Sequence, residues 1–213
     1  MIAQWDVRNL PLADESVDMI FTDPPYIKSQ LEMYSAVAQE AMRVLKPGSF
    51  VAAMCGGNGL NRIMRWFDDA GLEFYWLYQL GMTGYQTGVV WKNGNNNVPI
   101  STRTKHVLVY SKGKALARVA TVGLYWAGGA DKRWHYWGQD IDSHRYYIDC
   151  FSAKGDAVLD PMCGGGTTGV ACALLGRQVW LGDRDWSALE QTVRRMAGER
   201  ESLDPLPIFA QHA

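Results

Sequence analysis

The sequence is sparing with cysteine and has no pairing pattern for it. Its four cysteines, Cys55, Cys150, Cys163 and Cys172, form no Cys-x-x-Cys and stand at no ligand spacing from a histidine. That excludes a disulfide scaffold and gives no metal-ligand set, so the thiols are expected to be reduced and buried, as in a cytoplasmic protein. Long apolar runs are missing too, and the start Met1-Ile2-Ala3-Gln4-Trp5-Asp6 lacks a basic, apolar leader. Neither a membrane span nor a signal peptide is expected. Nor is there an excess of one charge: 21 Lys and Arg against 22 Asp and Glu leave a net charge of −1. Any polyanion must therefore be met by a local patch. What is plentiful is apolar side chain, 47% of 213 residues, ample for one core. A single domain over 1–213 is expected, with a loop or hairpin insertion at about 81–135.

Two stretches organise the chain. The first is Asp23-Pro24-Pro25-Tyr26, which follows the apolar run Val17 to Phe21. Proline fixes φ and drives the preceding residue out of the helical region, so this strand end is stiff and extended. A carboxylate, a carbonyl and an aromatic face are held close together there. The second is Val158-Leu159-Asp160-Pro161, followed by Met162-Cys163-Gly164-Gly165-Gly166-Thr167-Thr168-Gly169 and a helical Val170 to Leu175. Strand, glycine loop and helix let backbone N–H groups approach a ligand closely. A further strand, Gln178 to Asp183, ends in an acid about 20 residues past the first glycine, the spacing at which a carboxylate reaches a ribose hydroxyl. Asp185 is the alternative acid.

Between these anchors strands and helices alternate. Strands are expected at 2–7, 17–21, 49–55, 72–80, 105–111, 157–160 and 178–183, and helices at 32–45, 60–70, 141–152 and 170–175. The Gly- and Asn-rich stretch 81–105 reads as a mobile surface loop, residues 115–140 show no clear period, and the tail from Ser202 reads as irregular. The alternation predicts an α/β fold, with a mostly parallel sheet covered by helices on both faces and ligands at the carboxyl ends of the strands. If the two Asp-Pro strands are neighbours, their loops face one crevice.

With these motifs in this order, the chain resembles the S-adenosylmethionine-dependent DNA amino-methyltransferases, in the subgroup whose catalytic motif precedes the cofactor motif. Leu45-Lys46-Pro47-Gly48, Val90-Trp91-Lys92 and His106-Val107-Leu108-Val109 fit the same pattern. The resemblance implies a Rossmann-like, seven-stranded methyltransferase sheet with permuted motif order. It implies catalysis by Asp23, Pro24, Pro25 and Tyr26. S-adenosyl-L-methionine would be held by Asp6, Asp160, Met162, Cys163, Gly164, Gly166, Thr167, Thr168, Asp183 and His135. It also places target recognition between the two motifs. DNA would be met by Trp91, Lys92, Arg103, Lys105, Lys112, Lys114, Lys132 and Arg133; a homodimer is left open. The chain departs from the family where Met162 and Cys163 replace Phe, and where only His135 survives of a His-Pro-Thr-Gln-Lys-Pro segment. How the methionine end of the cofactor is held therefore stays open.

The implied chemistry needs few groups. An exocyclic amine of adenine is a poor nucleophile because its lone pair is delocalised, and acceptors for its N–H bonds return that pair to nitrogen. A methyl sulfonium is a strong electrophile, so positioning and charge placement suffice for in-line transfer to a base extruded from the duplex. Asp at the first motif position favours adenine N6 over cytosine N4 in this family. A methyltransferase acting on RNA or on protein glutamine, and a DNA-binding protein with a dead site, remain alternatives. So does a dinucleotide oxidoreductase, because Gly164 to Gly169 satisfies G-x-G-x-x-G; against it, Asp160-Pro161-Met162-Cys163 separates strand from glycines.

Overall fold

The computed structural model describes residues 1–82, 89–93, 96–102, 104–128 and 140–199, with side chains described for 1–81, 104–128 and 140–198. Its strands are β1 (Ile2–Gln4), β2 (Val17–Thr22), β3 (Leu45–Cys55), β4 (Glu73–Met82), β5 (Val89–Asn93), β6 (Asn96–Thr102), β7 (Thr104–Ser111), β8 (Leu124–Ala127), β9 (Ala157–Asp160) and β10 (Gln178–Asp183). The helices are α1 (Met33–Val44), α2 (Leu60–Asp69), α3 (Ile141–Phe151), α4 (Thr167–Leu175) and α5 (Trp186–Glu199).

Eight strands form one sheet in the order β1-β10-β9-β2-β3-β7-β4-β8, while β5 and β6 pair separately. From β1 to β3 all neighbours are parallel, and β7 runs against both β3 and β4. The eighth strand, β8, lies parallel to β4 in the stretch that showed no period. The Gly- and Asn-rich stretch read as a loop contains the antiparallel β5–β6 pair. No helix among the described residues is long and apolar enough to cross a membrane.

Strand alternation distributes the core between two layers. Val51, Ala53 and Cys55 of β3 face α1 and α2, with Tyr34, Val37, Ala38, Ile63 and Phe67 packed against them. Phe50, Ala52 and Met54 face the other way, onto Tyr147, Ile148 and Phe151 of α3 and Ala171 and Cys172 of α4. In α1 the buried positions Tyr34, Val37, Ala38, Ala41 and Val44 recur at helical spacing. Each fully buried valine or larger side chain there contributes about 1.5–3 kcal/mol. α3 opens on Asp140, whose carboxylate accepts from the Ser143 N–H at 2.8 Å, an N-cap worth about 1 kcal/mol. All four cysteines are free and buried.

The sheet turns at β9 and β2. From β9 the chain proceeds outward through α4 to β10; from β2 it proceeds the opposite way through α1 to β3. Met19 pairs with Val158 and Ile20 with Leu159, so the two Asp-Pro strand ends are neighbours. Crevices at such a reversal are where open α/β sheets bind ligands.

Candidate active site

On the β2 side, both oxygens of Asp23 are engaged. The Tyr26 hydroxyl donates to Oδ1, and the Lys105 ammonium lies 4.0 Å from Oδ2. That ammonium also stands 5.2 Å from the Tyr26 ring centroid, a cation–π distance. Lys105 reaches the site because β7 starts where β3 ends, with His106 opposite Cys55. Beneath the loop, the buried Tyr34 hydroxyl on α1 donates to the Met54 carbonyl at 2.8 Å and lies 3.3 Å from the Pro24 carbonyl. Burial, then the Asp23 charge, raises the Tyr26 phenol well above its ordinary range, so it remains a donor. Burial likewise pushes the Cys55 thiol up to about 12, so it is no nucleophile.

On the β9 side, Asp160 is 3% exposed. Thr168 donates its hydroxyl to Oδ2 at 2.5 Å and the Met162 N–H donates to Oδ1 at 3.2 Å. Burial pushes the carboxyl up to about 7, against the lowering influence of the Thr168 hydroxyl. The buried Thr22 hydroxyl, at the end of β2, lies beside this carboxyl without completing a hydrogen bond. The glycine loop then turns through Gly164 and Gly166, at φ +47° and +74°. A methyl group on Gly166 would come within 2.8 Å of Thr192 Cγ2, so both the backbone conformation and the space demand glycine.

At the end of β10, Asp183 Oδ2 accepts from the Gly164 N–H at 3.0 Å and Oδ1 from the Asp185 N–H at 2.9 Å. Asp185 faces away: its carboxylate accepts from the Ser187 N–H and hydroxyl at the start of α5. Of the two candidate acids, Asp183 is therefore the one beside the glycine loop. Asp6, just past β1, is bound by the Arg8 guanidinium through both oxygens, and this pairing lowers its carboxyl to about 2. β1 pairs Gln4 with Asp183, which places Asp6 on the same rim. Gly182 has no side chain because the Trp5 indole lies where a Cβ would be.

Several structural supports were not legible as site residues. Thr192 and Arg195 of α5 hold the glycine loop from behind: Thr192 donates to the Gly164 carbonyl at 2.6 Å, and the fully buried Arg195 donates to the Gly165 carbonyl and the Thr167 hydroxyl, both at 3.0 Å. His144 of α3 is buried edge-on against Phe21, its Nδ1 2.9 Å from the Asp140 carbonyl. Burial drives its pKa to about 3, so it stays neutral.

The expected DNA contacts separate. Lys105 is at the crevice, beside Asp23 and Tyr26. Lys112 and Lys114 follow the far end of β7, roughly 24 Å away at about 3.4 Å per residue. There Lys112 pairs with Glu15 at 3.0 Å, so neither lysine joins the site. Trp91 and Lys92 belong to β5 by backbone, with side chains outside the described residues. Arg103, Lys132, Arg133 and His135 also lie outside the described residues, as does the tail from Ser202.

Known proteins share this fold. Residues 141–194 match the family model described as DNA methylase, and residues 1–76 match one described as RMKL-like, methyltransferase domain. A candidate DNA modification methylase from Thermus thermophilus is 19% identical over 93% of this chain and 94% of that one, with a TM-score of 0.75. M1.HpyAVI, solved as a complex with SAM, is 20% identical over 85% and 89%, with a TM-score of 0.68. The cytosine-N4-specific PvuII DNA methyltransferase is 13% identical over 91% and 85%, with a TM-score of 0.78. At these identities the likeness to solved structures is one of fold. Fold and matched segments define the likeness: the chain has the fold of methyltransferases. Within that fold, residues 141–194 are similar to DNA methylases.

Proposed function

We propose that this protein transfers the methyl group of S-adenosyl-L-methionine to an exocyclic amine of a DNA base, adenine N6 in first place. The adjacency of the Asp23 and Asp160 strand ends carries the proposal, since it joins an amine-holding loop to a nucleoside-type loop at one crevice. The DNA methylase match over 141–194 supports DNA as the substrate. The Thermus thermophilus protein has been solved in complex with S-adenosyl-L-methionine, which supports that cofactor here.

The residues present fit the cofactor. Asp183, aligned with the glycine loop, is a carboxylate suited to a ribose diol, and Asp6 lies on the same rim for the adenine. The buried Asp160, beside the Thr22 hydroxyl, would offer acceptors to a cationic amino-acid end. When bound, S-adenosylmethionine supplies a methyl group on sulfonium sulfur. The chain's part is to hold the acceptor nitrogen. The Asp23 carboxylate and the Pro24 carbonyl accept the two amine N–H bonds, drawing the nitrogen toward tetrahedral geometry with its lone pair aimed along the transfer line. Tyr26 offers a ring face to the extruded base. Positive charge developing on that nitrogen would be stabilised by the fixed Asp23 carboxylate without reorganisation.

Asp23 at the first motif position favours adenine. Cytosine N4 is the second reading, because it presents the same amine beside a ring acceptor and the PvuII fold is shared. The test is to incubate purified protein with unmethylated DNA and S-adenosylmethionine, digest to nucleosides and analyse by mass. N6-methyladenine is expected; N4-methylcytosine would move the assignment to the other base, and no methylated nucleoside would overturn it.

A further inference from the structure

We propose that Lys105 is a positioning residue of the base pocket rather than a phosphate contact: its ammonium holds Asp23 and Tyr26 in the geometry that receives the target amine. The proposal rests on the reading of Asp23 as amine acceptor and deepens it.

The geometry is specific. Lys105 Nζ lies 4.0 Å from Asp23 Oδ2 and 5.2 Å from the Tyr26 ring centroid, while the Tyr26 hydroxyl donates to Asp23 Oδ1. Each of the three side chains touches the other two. The lysine side chain is only 17% exposed and that of Asp23 only 20%. A lysine meant for phosphates keeps its head in water; this one turns it inward. Asp23 also faces Cys55 at the end of β3 and Tyr34 on α1, whose charged forms are disfavoured by burial first and, to a lesser extent, by its negative charge. His144 on α3 feels the Lys105 charge from the opposite layer. Among the described residues, then, the groups around Asp23 are neutral apart from this ammonium.

Two consequences follow from charge and reach. At 4.0 Å the contact is an ion pair and not a hydrogen bond, so the Oδ2 lone pairs stay open to an amine N–H. A carboxylate shielded from water swings toward any donor, and a cation on one side with a hydroxyl on the other fixes its plane. The pair is also neutral overall. A lone carboxylate would draw cationic amines, such as a protonated side chain or a polyamine, into the pocket. The neutral pair instead admits an uncharged aromatic amine, which is what a nucleobase presents.

The test compares Lys105→Met and Lys105→Arg with wild type on plasmid DNA. The readouts are saturating turnover, DNA binding by fluorescence anisotropy over a salt series, and S-adenosylmethionine affinity by calorimetry. A misaligned acceptor should cost Lys105→Met about a hundredfold in turnover. DNA affinity, the salt slope and cofactor affinity should be unchanged, and Lys105→Arg should recover most of the rate. A Lys105→Met protein with normal turnover, or one whose DNA affinity and salt slope fall (by about one counterion) while turnover at saturation holds, overturns the proposal. Methylation of DNA by the wild-type protein is scored separately, so failure of the parent reading is not confused with failure of this one.

Discussion

Thr192 donates its hydroxyl to the Gly164 carbonyl at 2.6 Å while its methyl carbon fills the space a side chain on Gly166 would need. One residue of α5 thus fixes the glycine loop both by a hydrogen bond and by contact. Thr192→Val keeps the shape and removes the donor, leaving a carbonyl of the loop without it. The expected cost is about 1–3 kcal/mol of stability, with weaker S-adenosylmethionine binding. Thermal unfolding with and without cofactor checks both.

Asp23→Ala removes the proposed acceptor for the target amine and touches nothing on the β9 side. Methyl transfer should fall below detection while S-adenosylmethionine affinity stays within about threefold, less than 1 kcal/mol. Mass analysis of digested DNA and calorimetry together decide it; near-normal turnover would sink the role given to Asp23.

Asp183→Ala should weaken cofactor binding by about 1–3 kcal/mol, the range for charge-assisted hydrogen bonds. Asp185→Ala should instead loosen the start of α5, costing about 1 kcal/mol of stability with cofactor affinity retained. The two isotherms beside two melting curves distinguish the roles, and the opposite pattern would exchange them.

Asp160 gives a pH signature. Its folded pKa is raised to about 7, whereas an unfolded aspartate titrates near its usual 3.8. The unfolded chain therefore loses its proton first as pH rises, so the stability of the free protein falls between about pH 4 and pH 7. A gap of three units corresponds to at most about 4 kcal/mol. Asp160→Asn cannot titrate, so its stability relative to wild type should climb across that window. Chemical denaturation of both proteins from pH 5 to pH 8 measures the difference, in which His144 and other common groups cancel. A flat difference would contradict the buried, proton-holding carboxyl.

Target choice should be relaxed. Lys112 is paired with Glu15, and Arg118 donates to the Ser152 carbonyl at 2.7 Å, so these basic residues of the interval between the motifs already have partners within the fold. Base-edge contacts are worth about 1–3 kcal/mol each, and a segment this short has few to offer. Mapping of modified positions on a plasmid should return sites of about two to four defined bases. A single site of six or more would show that recognition lies elsewhere, with the β5–β6 hairpin the first place to look.

The layered α/β plan was legible because Asp23 and Asp160 each end an apolar run and are followed by turn chemistry that only certain folds use. Helix α5 was not read, for a physical reason: its inward positions are Ala188, Leu189, Thr192 and Arg195, so half of its buried stripe is polar and leaves no apolar period. Strand β8 is four residues long with two exposed members, too brief for alternation to register. Lys105 was legible as a cation but not as a pocket residue, since only the antiparallel course of β7 brings its first side chains to the crevice while sending Lys112 to the far side. Asp183 could be told from Asp185 only with the backbone of the glycine loop in view.

The strand order also bears on how the chain is made. The centre of the sheet depends on a partner that arrives late: the Asp18 carboxylate binds the Ala157 N–H, 139 positions away. β1 has no described neighbour but β10. On the ribosome, β2 must wait with one edge unpaired until most of the chain has emerged, and an exposed strand edge invites pairing with other chains. A fragment ending before residue 157 would therefore be expected to aggregate, and refolding of the whole protein to be slow, as closure of such distant pairs demands.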